Sequence, residues 1–268
     1  MKHYCPFLLF VALLCSCQHI DTDARLQPVK WSDADMSRNV LLVEFTGIGC
    51  NNCPTAADEA HRLAETFDGR LIVVAMHPAS NNFTHTINAL YDYTCPEADT
   101  YYQFLGGTAT TPFPTGNIDF STTTDSYLTD YTLWGSNIMR DIVTTPAVNI
   151  LLNADADGDS IRFNADLTHA TTEALTTRIL LWLTEDSIVG PQRMPDGSTS
   201  TTYVHNNMLR CEALGGGWGV IRTLNEATHL TQTVVIPDNV SDISHCAITL
   251  VVLDDATRNV LNAAQTHL

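Results

Sequence analysis

The sequence predicts an α/β half followed by an all-β sandwich. Two patterns predict it. Between Asn39 and His77, two near-continuous apolar runs flank a segment with helical spacing, which reads as strand, helix and parallel strand. From Thr145 onward, short strand-like segments alternate with clusters of turn residues, the texture of an antiparallel sandwich.

The chain opens with MKHYCPFLLFVALLCSCQ. Lys2 supplies a positive start. The apolar run at residues 7–14 falls well short of the about 20 residues a spanning helix needs. This pattern predicts an export signal. It ends in Leu14-Cys15-Ser16-Cys17, which resembles a bacterial lipobox of one apolar residue, two small ones and a cysteine. The resemblance implies loss of residues 1–16 and a lipid on Cys17. Cys15 is the weaker candidate, because Leu14 would then stand where a small residue is wanted. Residues 17–37 are polar and are expected to form a short tether. No other segment is long and apolar enough to cross a bilayer, so the lipid is the expected membrane contact.

Thirty acidic and 13 basic residues leave a formal charge of −17, which becomes −18 when Lys2 departs with the signal. Such a surface repels nucleic acid and excludes it as a partner. Of the eight cysteines, Cys5 and Cys15 leave with the signal and Cys17 takes the lipid. Cys50, Cys53, Cys95, Cys211 and Cys246 reach an oxidising compartment. Cys50 and Cys53 are the obvious pair. Of the other three, one stays unpaired or all are buried thiols.

Taken in order, residues 39–45 (NVLLVEF) are expected to form a strand buried on both faces. The loop TGIGCNNC follows. Residues 54–67 carry Ala56, Ala60, Leu63, Ala64 and Phe67 at helical spacing, and Asp68-Gly69 ends that helix. Residues 70–77 (RLIVVAMH) give the second strand. Residues 80–111 are poorly periodic, with a helix around 99–105. Residues 111–120 approach a further strand, and 127–142 form a helix with Trp134 and Ile138 on one side. Strands are then expected at 147–152, 160–167, 177–183, 204–210, 231–236 and 247–253. The boundary near residues 144–146 divides the chain into spans 38–144 and 145–268. NADADGDSIRFN (153–164) has oxygen ligands at calcium-loop spacing, but Asn164 stands where a bidentate Glu belongs. An acidic hairpin turn is the better reading. His205 is expected to be a hydrogen-bonded structural histidine. Trp218 reads as a hydrophobic plug or as an exposed contact.

A CxxC that leaves a buried strand and opens a helix resembles the thioredoxin arrangement. Two intervening residues let the sulfurs bond, and the helix N-terminus favours a thiolate on the first. Cys50 would attack and Cys53 resolve. Pro54 is tolerated in the first helical turn. Thioredoxins carry a buried carboxylate six residues before the first cysteine, and Glu44 holds that position as a proton shuttle. Solvent exposure at the strand end is the competing reading of Glu44. The family's cis-proline corresponds to Pro114 in Phe113-Pro114-Thr115, with Pro112 as competitor. Gly49 before Cys50, Asn51-Asn52 between the cysteines and the long insert all depart from working thioredoxins. A zinc set of Cys50, Cys53, Cys95 and His77 is conceivable, but an oxidising compartment disfavours free thiolates. No cofactor or metal is expected.

The run LLVEFTGIGCNNCPTAADEAHRL (41–63) resembles the twenty-eight-kilodalton outer-membrane lipoproteins of Bacteroidetes. TEDSIVGPQ (184–192), YVHNNMLRCEALGGGWG (203–219) and VLNAAQ (260–265) agree with it. The resemblance implies a thioredoxin-like domain, then an immunoglobulin-like β-sandwich, on an outer-membrane lipoprotein of the cell envelope that is open to surface exposure. Two functions follow as expectations. One is thiol–disulfide exchange with protein substrates through Cys50 and Cys53, helped by Glu44 and Pro114. The other is a surface binding or adhesin module, with the thioredoxin-like part as scaffold and a structural disulfide.

Overall fold

A computed structural model describes residues 38–84, 92–122, 127–169, 173–225 and 227–268. The expected signal, the lipidated Cys17 and the tether lie outside these residues.

The fold is built outward from one strand. β1 (Val40–Phe45) buries all six of its residues. It pairs in parallel with β2 (Leu71–Met76), also buried throughout. α1 (Cys53–Thr66) makes the crossover and buries Ala56, Ala60 and Leu63 of the five positions the periodicity names, with Ala64 and Phe67 half-buried. Asp68 and Gly69 take φ of 52° and 74°, and this left-handed pair ends the helix. α2 (Pro96–Phe104) follows, and then β3 (Thr115–Ile118), antiparallel to β1. The helix expected over 127–142 is shorter. A 3₁₀ turn (Tyr131–Leu133) leads into α3 (Trp134–Asp141), which buries Trp134 and Ile138. Asp130 sets this start, because its carboxylate accepts from the Thr132 amide at 2.9 Å.

The remainder is β-structure: β4 (Val148–Asp157), β5 (Ser160–His169), β6 (Leu175–Glu185), β7 (Ile188–Arg193), β8 (Thr199–His205), β9 (Met208–Glu212), β10 (Val220–Leu224), β11 (Ala227–Val235), β12 (Cys246–Asp254) and β13 (Val260–His267). The segment expected as one strand over 204–210 is two, because Asn207 has φ of 55° and breaks the run between β8 and β9. β7, β10 and β13 are additional to the expected strands. The acidic segment at 153–164 is a hairpin: Asp157 faces Ser160 across a turn in which Gly158 has φ of 58°.

The large sheet runs β13-β12-β6-β9-β2-β1-β3, with β10 added alongside β6. Strands from both sides of the expected boundary therefore share one sheet. The seam is narrow, with one paired position between β2 and β9, Ala75 opposite Met208. A shared core spans it. Leu41, Val43 and Phe45 of β1 cluster with Leu180 and Trp182 of β6 and with Val251 and Leu253 of β12. Trp218 packs on this cluster as a plug, with Arg258 over its ring at 5.6 Å. On the opposite face of β1, Val40 and Leu42 pack with α1 and α3. The second sheet, β11-β5-β4, lays Ile161, Phe163 and Leu167 against Ile179, Leu181 and Leu183 of β6 and Ile248, Leu250 and Val252 of β12. This is sheet-on-sheet packing.

One polar knot fixes where β1 begins. Asp119 accepts Arg38 Nη2 at 2.6 Å and the Leu41 amide at 2.8 Å, while its own carbonyl accepts Val260 N at 2.9 Å. Both side chains are largely buried. Asp119→Ala strands a buried guanidinium and a buried amide, so urea unfolding is expected to lose about 3 kcal/mol. A loss within experimental error would mean that the knot contributes nothing to stability.

Candidate functional site

The loop after β1 cannot accept a side chain at Gly47, where a Cβ would collide with the Phe83 carbonyl. Gly49 N donates to that same carbonyl at 2.9 Å, and Cys50 N donates to Gly47 O at 3.0 Å. This tight loop delivers Cys50 to the start of α1. Cys50 and Cys53 are joined as a disulfide with Cα atoms 5.5 Å apart. Asn52 provides no side-chain cap, Pro54 occupies the first turn, and no acidic residue stands there. The helix N-terminus keeps its positive end at the sulfurs.

Both cysteines are only 2% exposed. They sit in the core cluster with Phe45, Tyr102 and Phe113, and the β7–β8 hairpin, which sequence reasoning did not place here, docks on their loop. Gln192 Nε2 donates to the Cys50 carbonyl at 2.9 Å and to Gly47 O at 3.3 Å, and Arg193 N donates to Ile48 O at 2.9 Å. The hairpin is thus stitched to the loop by its own strand backbone and one buried amide.

Beside the disulfide lies a cavity of about 320 Å³. Its wall includes Glu44 from β1, Cys53 and Asp58 from α1, His77 just past β2, and Tyr203 and His205 from β8. Alternation along β1 puts Glu44 on the face that Val40 and Leu42 present to α1. It is 3% exposed, so burial and not the strand-end exposure is its fate. Its Oε1 has no hydrogen-bond partner. Burial raises the carboxyl from 4.5 to about 8, so it is mostly protonated at neutral pH.

The histidines complete the wall. His77 and His205 have ring centroids 6.2 Å apart, with Tyr93 at 5.8 Å and 4.9 Å from them and Tyr203 at 4.8 Å from His205. Burial, then the neighbouring His205 and Arg210, lowers His77 to about 3. Burial lowers His205 to about 4, opposed by a hydrogen bond to the Pro191 backbone. Proline offers only its carbonyl, so a His205 ring N–H donates there. His205 Nε2 is the orphaned nitrogen, which puts the proton on Nδ1. His77 Nδ1 is likewise unpartnered. Burial, then Glu44 and Asp58, pushes the Tyr203 phenol up to about 12.

Pro114 follows the cis peptide Phe113–Pro114, while Pro112 is not cis. Phe113 belongs to the same core cluster as Cys50 and Cys53. Cys95 is apart from any zinc set. Its thiol donates to Glu97 Oε2 at 2.8 Å, and the two CxxC sulfurs are bonded to each other. Cys95, Cys211 and Cys246 are all free thiols. Burial pushes Cys211 and Cys246 up to about 12 and Cys95 higher still. The sequence flagged Glu44 and the cysteines. It missed Gln192, Tyr203 and the open nitrogen of His205. The available signal was the i, i+2 spacing of Tyr203 and His205, which sets both on one face of a strand.

Two outcomes are expected. Gln192→Ala frees the hairpin from the loop and should speed reduction of the disulfide by dithiothreitol about tenfold, equivalent to about 1.4 kcal/mol of lost hydrogen bonding. An unchanged rate would mean that the hairpin does not control access. The second concerns pH. The fold holds the Glu44 proton to about pH 8, while the unfolded chain releases it near 4.5. Stability from this group is full below 4.5 and is lost as pH rises towards 8, by roughly 4 kcal/mol. Glu44→Gln should therefore be the more stable protein at pH 8, with the advantage shrinking towards pH 5. His77 and His205 act in the other direction, with stability present above 6.5 and lost as pH falls through 4 and 3. Chemical unfolding from pH 4 to 8 checks both arms.

No curated protein matches the chain. Among solved structures, HBP35 of Porphyromonas gingivalis superposes with a TM-score of 0.67 at 15% identity, covering 87% of this chain and 76% of that one. A protein of Agrobacterium tumefaciens gives 0.51 at 12% identity, covering 87% and 96%. At these identities the likeness is one of fold alone. A domain of the outer membrane lipoprotein Omp28 from Porphyromonas gingivalis, at 17% identity, covers 46% of this chain and 88% of its own with a TM-score of 0.34. The family described as outer membrane protein Omp28 matches residues 98–268, which include three of the four stretches that suggested the resemblance and begin after the cysteine pair. The match spans well over half of the sequence, and the chain belongs to the Omp28 family of outer membrane proteins.

Proposed function

We propose that this outer-membrane protein is a binding module. Its thioredoxin-like span (38–144) is a scaffold, its immunoglobulin-like span (145–268) supplies the β7–β8 hairpin, and a lipid on Cys17 holds it to the membrane. The disulfide between Cys50 and Cys53 is structural in this reading. The observation behind it is the burial of both cysteines in the core, on a loop whose carbonyls Gln192 and Arg193 of the hairpin hold. An attacking thiolate needs a path to sulfur along the S–S axis, and exchange is slow where access is closed. The working surface is then the cavity beside the disulfide.

The second reading is thiol–disulfide exchange, with Cys50 attacking, Cys53 resolving, Glu44 moving the proton and Pro114 beside the pair. Its support is the uncharged, buried carboxyl of Glu44 in a cavity that Cys53 also lines. The reduction potential of the pair separates the two. Thiol trapping of the purified mature protein in graded redox buffers is expected to give a value below about −300 mV, as for structural disulfides. A value between about −120 and −270 mV, the range of envelope oxidoreductases, would overturn the structural reading in favour of exchange.

A further inference from the structure

The cavity wall has an unusual polarity. Three buried side chains, Glu44, His77 and His205, each present an atom without a hydrogen-bond partner, and each is at least nine-tenths buried. Neutral imidazole nitrogens without a hydrogen are acceptors. Among the described residues, no lysine or arginine lines the space. Arg210 is near enough to depress His77, but its Nε is held 3.2 Å from Glu185 and it does not line the cavity. Asp58 adds a further acidic group from α1. The field inside therefore disfavours anions and favours a positive charge, as does the −17 charge of the whole chain.

Among the described residues, no three His, Cys, Asp or Glu side chains converge closely enough to hold a metal ion. The acceptors are spread over a space of about 320 Å³, within the range of small-ligand sites. That spacing suits a cation of several atoms with its own directed hydrogens. The walls add two features. Pro54, Ala57, Ala60 and Val204 give an apolar lining for a hydrocarbon stem. Tyr203 adds an aromatic side chain to the wall, a group that attracts cations.

We propose that the cavity binds a primary ammonium group on a short aliphatic stem, with Glu44 as its counter-ion and the His205 imidazole as an acceptor. The source is a free alkylamine or a lysine side chain of a polypeptide, which share this chemistry. The inference deepens the binding reading above and rests on it. Glu44 is uncharged without a ligand because burial removes its water. An ammonium beside it restores the charged form, so binding releases a proton. The amine stays protonated to about 10.4, so affinity rises with pH until Glu44 is ionised without help. Other groups facing the space are Asp58 and His61 on α1, His77 after β2, and Tyr203 and His205 on β8. His77 and His205 titrate at about 3 and 4, and Tyr203 at about 12, outside the window used here.

The test is calorimetric titration of the purified mature protein with cadaverine and with Nα-acetyl-lysine amide, at pH 6 and pH 7, in two buffers of different ionisation enthalpy. The expected result is saturable binding, about tenfold tighter at pH 7 than at pH 6, with close to one proton released. Glu44→Gln should weaken binding and abolish the pH response, which separates Glu44 from Asp58 and His61. His205→Gln should weaken binding while the pH response remains. The Nε-acetylated lysine amide should not bind. Binding of the lysine amide alone assigns a polypeptide source, and binding of both assigns free amines as well. No saturable binding of either probe, or an unchanged pH response in Glu44→Gln, overturns the proposal. A reduction potential below about −300 mV alongside failed amine binding leaves the binding module standing with another ligand. Amine binding alongside an exchange-range potential removes the structural-disulfide reading and keeps this site.

Discussion

The constraint on which the structure turns is the complete burial of β1. A strand sealed on both faces must satisfy every backbone group through its neighbours, and β2 and β3 do this on either side. Its start is fixed by the Asp119 knot and its end opens into the cysteine loop. Everything at the site is measured from those two points. The same sealing creates an electrostatic difficulty within β1. Glu44 is an acid where the strand has no water to offer. The molecule answers by leaving it protonated and placing it against a space, in the company of two uncharged imidazoles. Buried ionisable groups without partners are costly, and their grouping around one cavity is where function is first sought.

The hairpin that docks on the cysteine loop belongs to the other half of the sequence. Its attachment to the loop is two bonds from the Gln192 side-chain amide and one backbone bond from Arg193, and it leaves the main sheet to stand as a separate ribbon. Such an element is positioned by what it touches more than by a continuous ladder. Ile188 joins Ile48, Tyr93 and Met208 in a small apolar cluster under its base. The site is therefore composite: residues some 150 positions apart in sequence define one wall.

Much of the first half was legible in the sequence. β1 and β2 are near-continuous apolar runs and α1 carries the 3.6 period, and the CxxC marks the point where the first run gives way to the helix. Glu44 stood out as an acid in an apolar run, although the run alone did not decide between core and solvent. In the second half the alternating strands β4 and β5 and the apolar runs of β6 and β12 were readable, while β7, β10 and β13 were not. β7 includes Gly190 and Pro191, which weaken any strand signal, and β13 mixes Asn262 and Gln265 into its buried stretch. The break at Asn206-Asn207 needs a left-handed residue that asparagine supplies and apolar counting cannot detect. The docking of the hairpin on the cysteine loop is a long-range contact, and no local pattern encodes it.

The three free thiols have a consequence for maturation. Five cysteines occupy the described chain, and an odd number in an oxidising space invites wrong partners. Mixed disulfides form through thiolates, and thiols held at about 12 or above keep almost none at neutral pH. Cys95 and Cys246 are also shut away from solvent. Once folded, the protein is chemically quiet at these three sulfurs, so the fold itself acts as the insulation that protects the Cys50–Cys53 bond from being rewritten.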